Sequence, residues 1–167
     1  MLTRLDLRHF KCFEVLHIPL APFTLLSGLN ASGKSSILQA LVLLHQTMRE
    51  HEWSTRLMLN GEAIRLGTVS DVVDKVHGRR TFEIGVADED QRYHWTFAGE
   101  RSEMSMAVDK VVVGNTSRVT PDTLRYLLPS QGKKRTALLA TRLRGLTYIT
   151  AERVGPREVY SAEDRQV

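Results

Sequence analysis

Residues 23–50 read FTLLSGLNASGKSSILQALVLLHQTMRE, and this stretch decides the fold. An apolar segment, which predicts a β-strand, runs directly into residues 28–35, and an amphipathic helix follows. The loop matches the pattern G-x-x-x-x-G-K-[ST] at every fixed position. A strand before the loop and a helix after it are the context that this pattern requires. The sequence therefore predicts a phosphate-binding loop of the Walker A type.

Each fixed residue of this loop has a physical role in holding a nucleotide. Gly28 and Gly33 allow tight turns that direct backbone N–H groups inward, and these donors form an anion site with the positive end of the helix. Lys34 supplies a point charge for the β- and γ-phosphates and is the candidate catalytic residue, while the Ser35 hydroxyl is the candidate Mg²⁺ ligand. Ser36 caps the helix or contacts the α-phosphate. The predicted nucleotide-binding residues of the loop are Gly28, Asn30, Ala31, Ser32, Gly33, Lys34, Ser35 and Ser36.

A chance match is the alternative interpretation of the loop. Because glycine makes up about 7% of average residues, the four fixed positions should coincide in roughly half a per cent of chains this long. The predicted strand and helix on either side lower that figure further. Nucleotide binding, with ATP and Mg²⁺ as cofactors, is therefore the strongest prediction of the sequence.

The composition is typical of a soluble protein with a hydrophobic core. The 167 residues fit one domain or one lobe of a larger domain, with 42% hydrophobic and 25% charged residues. Cys12 is the only cysteine, which excludes an internal disulfide and a zinc cluster and fits a reducing cytoplasm. We see no signal peptide, and the longest apolar run, residues 40–44, is too short to span a membrane. We expect a cytoplasmic protein with no membrane partner.

Positive charge is concentrated between residues 118 and 157. This window contains nine basic residues and only two acidic residues, Asp122 and Glu152. Its net charge is therefore +7, and that of the rest of the chain is −3. Such a block predicts a surface for nucleic acid or an acidic partner. A solvated helix face, or charge that pairs with sequence outside this chain, is the alternative. The candidate nucleic-acid residues are Lys133, Lys134 and Arg135.

Two strands are predicted before the loop, and they carry a resemblance to a known family. Residues 2–10 alternate apolar and polar side chains, and a second strand ends at Pro19. The string LDLRHFKCF at residues 5–13 matches L-x-L-x-x-F-[KR]-x-F. Placed at this distance before a Walker A loop, it resembles the ABC-type ATPase heads of the RecF, SMC and OLD-like group. The strings at residues 59–73 and 148–157 resemble blocks of a prokaryotic, AAA-family branch of these ATPases.

This resemblance implies the fold class and the domain organisation. The fold is expected to be α/β, a P-loop NTPase of the ABC-ATPase-like lobe type with a mixed core sheet and an antiparallel β flank. Residues 1–167 then form the N-terminal lobe of an ABC-type ATPase domain. Within it we expect strands, P-loop and helix in residues 2–50, a mainly antiparallel β region in 56–113, and a basic helical segment and return strand in 118–157. No stretch matches a Walker B strand or a signature motif, so we expect the remainder of the ATPase core to be absent from this chain.

Local patterns predict the smaller elements. An Asn-Gly turn joins two strands in residues 57–66, and a short helix follows in 67–73. Tyr93, Trp95 and Phe97 alternate on one strand face, which favours core packing over base stacking. The remaining predicted elements are strands at residues 81–87, 91–98, 103–108 and 110–113, a loop at 115–121, a helix that ends at 128, and a basic helix at 134–143.

The resemblance also implies function. The family's heads dimerise with ATP between them and hydrolyse it, and their roles include DNA repair and anti-phage defence with a nuclease or toxin effector partner. Arg8 and Lys11 are expected near the ribose, the base or the α-phosphate. Asp71 is the candidate second Mg²⁺ ligand, in place of the family's Q-loop glutamine, and a helix-capping role is its alternative. Without a Walker B strand we expect this chain alone to be inactive in hydrolysis.

Other functions remain as alternatives. The first is a nucleotide switch that binds ATP without hydrolysing it, together with a partner effector. The second is a nucleic-acid-binding module that uses the basic window. A kinase or GTPase is disfavoured by the two strands before the loop and by the lack of an N-K-x-D motif.

Overall fold

The computed structural model describes residues 1–73, 78–129 and 134–149, with the side chains of residues 134 and 135 left out. Within these ranges seven strands and three helices form the fold. The predicted residue Lys133 and residues 150–157 of the family-like string lie outside the described residues. The elements are β1 (Leu2–Phe10), β2 (Phe13–Pro19), α1 (Lys34–Glu50), β3 (Arg56–Met58), α2 (Val69–Val72), β4 (Thr81–Asp88), β5 (Arg92–Ala98), β6 (Ser105–Val113), β7 (Thr116–Val119) and α3 (Lys134–Arg144).

The seven strands form one sheet in the order β2-β1-β4-β5-β6-β3, with β7 beside the second half of β6. Each pairing between these strands is antiparallel. The α/β class is confirmed, and the antiparallel region is larger than expected. It includes the two N-terminal strands, so the described residues do not contain the mixed sheet that the resemblance implies.

One face of this sheet forms the core. Leu7, Ile84, Trp95 and Val111 are cross-strand neighbours on β1, β4, β5 and β6, and each is at most 1% exposed. Alternation along a strand places such residues on a single face, which explains why the predicted period of two identified them. The predicted core packing of Trp95 and its neighbours on β5 is confirmed.

Helix α1 covers this core and is in turn covered by α3. Its second half is buried on several sides, including Leu43, Leu44 and Met48. The imidazole of His45 is also buried, and its Nδ1 donates to the carbonyl oxygen of Leu143 at 2.8 Å. This hydrogen bond connects α1 to the end of α3. Both helices confirm the predictions, and α3 ends one residue later than expected.

The prediction that a β-strand leads into the P-loop is wrong for this chain. Residues 21–27 belong to no strand of the sheet, and Phe23 and Leu25 are 81% and 77% exposed. An apolar run forms a strand only where a neighbouring strand accepts its hydrogen bonds. In the described residues the sheet ends at β2, and the chain between β2 and the loop lies outside it.

The region after β5 also differs from the prediction. The two strands expected at residues 103–108 and 110–113 are one strand, β6, in which Asp109 forms a bulge opposite β5. The loop expected at 115–121 contains β7, which returns along β6. The expected hairpin at 57–66 is reduced to β3 and one bridge between Asn60 and Arg65. The short helix predicted there is confirmed as α2.

The prediction of a helix that ends at residue 128 is wrong. Residues 125–128 form a tight turn in which Tyr126 and Leu127 have φ of 53° and 56°. The turn buries Leu127 completely, and the carbonyl oxygen of Leu127 accepts a hydrogen bond from the Trp95 indole at 2.7 Å. A helix at this point would remove that bond from the core. The return strand expected after α3 is not formed by residues 145–149.

Candidate nucleotide-binding site

The P-loop ends where α1 begins. Gly33 precedes the helix with φ of 89°, in the left-handed region that favours glycine. The first intrahelical hydrogen bond runs from the Ile37 N–H to the Gly33 carbonyl at 3.1 Å. The N–H groups of Lys34, Ser35 and Ser36 therefore have no acceptor within the helix. This helix start presents backbone donors and the positive end of the helix dipole to an anion.

A cavity of about 350 Å³ lies at this helix start. It is enclosed by the P-loop on one side and by the turn between β1 and β2 on the other. Its walls contain two lysines and, among the described residues that form them, no carboxylate, so the cavity favours an anion. The lining residues are Lys11, Cys12, Asn30, Ala31, Gly33, Lys34, Ser35 and Ser36.

The ammonium group of Lys34 is held inside the loop. Its Nζ donates to the carbonyl oxygens of Gly28 and Leu29 at 2.8 and 2.5 Å, and to Ser32 Oγ at 3.4 Å. The loop therefore curves around a positive charge, with the lysine side chain bent back over the preceding residues. Anionic oxygens in the same concavity compete directly with these neutral acceptors, because charge-assisted hydrogen bonds are the stronger kind.

The turn between β1 and β2 fixes the loop in place. A Cβ atom at Gly33 would lie 2.5 Å from Phe13 Cζ and 2.7 Å from Cys12 Sγ, so only glycine fits there. Lys11 Nζ donates to Gln39 Oε1 of α1 at 2.6 Å, and the Lys11 N–H donates to the Val72 carbonyl of α2 at 2.8 Å. The two strands before the loop thus form one wall of the cavity.

The structure brings most of the predicted nucleotide-binding residues together. Six of the loop residues and Lys11 line the cavity, and the remaining two, Gly28 and Ser32, contact the Lys34 ammonium group. Arg8 is exposed on β1 and is not among the lining residues. Cys12 was not predicted as a site residue. Its position directly before Phe13 in the L-x-L-x-x-F-[KR]-x-F string was the available signal.

Asp71 has a capping role. Its Oδ2 accepts hydrogen bonds from the backbone N–H and the hydroxyl of Thr68, both at 2.9 Å, in a capping box at the start of α2. It is not among the residues that line the cavity. The structure therefore supports the capping interpretation of Asp71 and does not bring this residue to the loop.

Mg²⁺ fits the cavity as a partner of bound phosphate. The Ser35 hydroxyl is exposed at the helix start and is a hard oxygen donor of the type that Mg²⁺ prefers. No group of three or more His, Cys, Asp or Glu side chains that could hold a metal ion occurs among the described residues. In P-loop proteins Mg²⁺ is held by the loop Ser or Thr and an acidic residue, together with phosphate oxygens and waters, and Ser35 would supply the first of these ligands.

A second cluster of basic and aromatic side chains lies at the opposite end of α1. The guanidinium of Arg125 lies over the rings of Trp53 and Tyr126, and that of Arg144 lies 4.5 Å from the centre of the Tyr126 ring. Sequence reasoning included Arg125 and Arg144 in the basic window 118–157, but it missed their aromatic neighbours because Trp53 is far away in the chain. Of the predicted nucleic-acid residues, Lys134 and Arg135 open α3, the helix that ends at Arg144.

A P-loop at the start of a helix, backed by an antiparallel sheet, defines a nucleotide-binding lobe of the P-loop ATPase class. A family model described as "AAA ATPase domain" matches residues 1–111, and the chain belongs to this family. The match includes the two N-terminal strands, the P-loop and the sheet as far as β6. No helix in the described part of the chain is long and apolar enough to cross a membrane.

Two curated relatives place the chain within this class. It is 33% identical over 93 residues to the DNA replication and repair protein RecF of Limosilactobacillus fermentum, which is 55% of this chain and 25% of the relative. It is 43% identical over 44 residues to the OLD nuclease of Thermus scotoductus, which is 26% of this chain and 8% of the relative. The matches thus span a quarter or less of these relatives. They confirm the predicted similarity to ABC-type P-loop ATPases of the RecF and OLD-like group.

Proposed function

We propose that this chain binds Mg-ATP through its Walker A loop and forms part of a dimerising, ATP-hydrolysing ABC-type ATPase. The observation that carries the proposal is the position of Lys34. Its ammonium group lies inside the loop, against the Gly28 and Leu29 carbonyl oxygens, and lines the same cavity as the start of α1. This arrangement supplies a fixed positive charge and N–H donors to the same small volume, which is what a triphosphate requires.

Different residues of the site are proposed to hold different parts of Mg-ATP. The backbone N–H groups at the start of α1 hold a phosphate, and Lys34 exchanges its contacts with the Gly28 and Leu29 carbonyls for phosphate oxygens. Ser35 holds Mg²⁺, which when bound neutralises charge on the β- and γ-phosphates. Lys11 lies on the opposite wall of the cavity and is placed to contact the nucleotide from that side.

We propose that hydrolysis and dimerisation require parts of the ATPase outside this lobe. The loop is open to solvent on its outer side, where Leu29 within the P-loop is 85% exposed. A second ATPase head would cover this side and enclose the phosphates. The described cavity walls supply binding groups, while hydrolysis also needs a base or a water-positioning group. We therefore propose that catalytic carboxylates come from elsewhere in the ATPase core, and that this chain alone binds ATP without turnover.

The names of the relatives support a biological setting. One is a DNA replication and repair protein and the other is a nuclease. We propose that the ATPase to which this chain belongs acts in DNA repair or in anti-phage defence, with a nuclease or toxin as its effector. The chain shares only an ATPase segment with these relatives, so the similarity supports their whole-protein roles only for an ATPase that contains this segment.

Isothermal titration with Mg-ATP and a phosphate-release assay test the proposal. We expect the chain to bind Mg-ATP and Lys34→Ala to bind at least about tenfold more weakly, a change of ~1.4 kcal/mol. Lys110→Ala, which removes an exposed lysine from β6, is the matched control and should bind normally. Equal binding by Lys34→Ala and the wild type, or no binding by folded wild type, would overturn the ATP site.

Turnover separates the remaining alternatives. Absence of turnover in this chain together with ATP binding is the expected result. Turnover that depends on Lys34 would contradict the proposed need for outside carboxylates. If the full ATPase assembly also binds ATP and releases no phosphate, the chain belongs to a nucleotide switch.

A further inference from the structure

A basic and aromatic surface lies far from the P-loop. We define it as the Trp53 surface: Trp53, Arg125, Tyr126 and Arg144, together with the adjoining cavity of about 330 Å³ between the 125–129 turn and α3. Trp53 follows the C-terminal end of α1, whereas the P-loop precedes its N-terminal end. The 17 residues of α1 separate the two sites by about 25 Å, at about 1.5 Å per residue.

The guanidinium groups of this surface lie close to its aromatic rings. The Arg125 guanidinium carbon lies 5.4 Å from the Trp53 ring centre and 5.3 Å from the Tyr126 ring centre. The Arg144 guanidinium carbon lies 4.5 Å from the Tyr126 ring centre. These distances are within the range of cation–π contacts, so the two arginines and two rings form one alternating arrangement.

The surface is preorganised by the core beneath it. Tyr126 and Leu127 both have positive φ, which is unusual for large side chains. The turn is nevertheless held by the Tyr126 N–H, which donates to the Glu52 carbonyl at 2.6 Å, and by the Trp95 indole bond to the Leu127 carbonyl at 2.7 Å. The positions of Arg125 and Tyr126 are therefore fixed before any ligand arrives.

The charge of the surface favours an anion. Glu52 accepts from Arg125 Nε at 2.8 Å, and this hydrogen bond is the main reason why the pKa of Arg125 is raised above its ordinary value. Arg125 thus stays charged, but its charge is paired with that of the Glu52 carboxylate. Among the described residues, Arg144 has no carboxylate within ion-pair distance, and the cavity walls contain no acidic side chain. The positive charge of Arg144 is not neutralised by the described part of the chain.

The exposed ring of Trp53 indicates which chemical class of anion this surface binds. Its side chain remains 65% exposed although one side carries Arg125, so a flat aromatic face is open to solvent. An exposed ring beside guanidinium groups suits a ligand that alternates planar rings with phosphates. Unpaired bases stack on such rings, whereas the bases of a duplex are already stacked on each other. An acidic peptide would use the charge but not the open ring.

We propose that the Trp53 surface binds single-stranded nucleic acid, with a base stacked on Trp53 and phosphates held by Arg125 and Arg144. This inference goes beyond the ATP site and is independent of nucleotide binding. The sequence predicted a nucleic-acid surface in the basic window 118–157, which contains Arg125 and Arg144, and named residues 133–135 as candidates; the proposal here adds the stacking ring of Trp53 and moves the contacts to a different set of residues. Lys134 and Arg135 are the first two residues of α3, whereas Arg144 is its last residue and Trp53, Arg125 and Tyr126 come from two other parts of the chain.

Tryptophan fluorescence tests the proposal directly, because the chain has two tryptophans. Trp95 is fully buried and Trp53 is exposed, so a stacked base should quench Trp53 alone. We would titrate the 167-residue chain, without nucleotide, with dT20 and rU20 single strands, a 20-base-pair duplex and poly-glutamate. The expected result is quenching by single strands, which is lost in Trp53→Phe while Trp95 emission is unchanged. Comparison of dT20 with rU20 shows whether the surface binds single-stranded DNA, single-stranded RNA or both.

Affinity measurements by fluorescence anisotropy use matched variants. Trp53→Ala should weaken dT20 binding at least about fivefold, the lower end for loss of a base–aromatic stack. Arg144→Ala should reduce the slope of log K against log salt by about one, as expected for one lost phosphate contact. The controls are Met104→Ala, which removes an apolar side chain as exposed as Trp53, and Arg101→Ala, which removes an exposed arginine elsewhere. Both controls should bind normally.

Three outcomes would overturn the proposal. The first is unchanged dT20 affinity in both Trp53→Ala and Arg144→Ala. The second is an equal loss in Arg101→Ala, which would indicate nonspecific attraction. The third is Trp53-dependent binding of poly-glutamate without binding of single strands, which would identify an acidic protein partner. Lys34→Ala separates this proposal from the ATP site, because it should lose Mg-ATP binding and retain dT20 binding.

Discussion

Cys12 and Gly33 pack so closely that a Cβ atom at residue 33 would lie 2.7 Å from the Cys12 sulfur. The contact joins the turn between the first two strands to the start of the P-loop helix. Cβ atoms essentially never approach another heavy atom below 3.0 Å, so the second glycine of the Walker A pattern has a packing role here as well as a conformational one. The N-terminal hairpin and the P-loop are therefore one structural unit.

Gly33→Ala should destabilise the chain and abolish ATP binding. Its φ of 89° is unfavourable for alanine, and the new methyl group collides with Cys12 and Phe13. Together these effects should lower the free energy of unfolding by about 2–5 kcal/mol. Urea denaturation and Mg-ATP titration measure the two effects.

Gly78→Ala is the matched control for Gly33→Ala. Gly78 also has a positive φ, of 60°, but a Cβ atom there would meet nothing within 4 Å. It should cost about 1–2 kcal/mol from backbone conformation alone and leave ATP binding intact. Equal losses of stability in the two variants would show that the contact with Cys12 is unimportant.

Alkylation of Cys12 should block the nucleotide site. Cys12 is exposed, lines the cavity and is the only cysteine in the chain, so N-ethylmaleimide modifies one known position. The added group fills part of the cavity and should weaken Mg-ATP binding at least ~tenfold. Mg-ATP should in turn slow the alkylation, which mass spectrometry measures.

Cys12→Ser is the control for alkylation, because it preserves the approximate size of the side chain and removes the reactive thiol. It should bind Mg-ATP normally before and after treatment with the reagent. Alkylated wild-type protein that binds Mg-ATP as tightly as the untreated protein would place the nucleotide away from the β1–β2 turn.

The features that the sequence predicted correctly are those encoded by neighbouring residues. The Walker A positions, the helix that follows them and the alternation in β1, β4 and β5 each depend on a short window, and all are present in the structure. The β6 strand was divided in two because Asp109 interrupts the alternation. In the sheet the interruption is a bulge, and the strand continues on both sides of it.

The errors arise where a distant part of the chain decides the structure. Leu124, Leu127 and Leu128 have the i, i+3, i+4 spacing of a helix, yet they belong to a tight turn held by Trp95 and Glu52. The strand before the P-loop needed a neighbouring strand that no local pattern reveals. The Trp53 surface joins side chains separated by up to 91 residues, so only the folded chain brings them together.

The two tryptophans should respond very differently to the same substitution. Trp95→Phe removes the indole N–H and leaves the buried Leu127 carbonyl without its donor. The loss of a buried hydrogen-bond partner should lower the free energy of unfolding by about 1–3 kcal/mol. Trp53→Phe, at a position 65% exposed, should change it by less than about 0.5 kcal/mol. Urea denaturation compares them, and equal effects would contradict the role assigned to the 125–128 turn.

The segment before the P-loop should tolerate polar substitution in this chain. Phe23 is 81% exposed, so Phe23→Ser should change the free energy of unfolding by less than about 0.5 kcal/mol. It should also reduce self-association, because exposed apolar side chains favour aggregation. Urea denaturation and light scattering measure these effects.

Phe82→Ala is the comparison for Phe23→Ser, because Phe82 is fully buried on β4 and contacts Phe10 and Phe97. Loss of this ring should lower the free energy of unfolding by about 3–5 kcal/mol. If Phe23→Ser destabilised the chain by a similar amount, Phe23 would be packed in solution, and residues 21–27 would have an apolar neighbour. If that loss grew with protein concentration, the neighbour would be a second copy of the chain, since only an intermolecular contact depends on concentration.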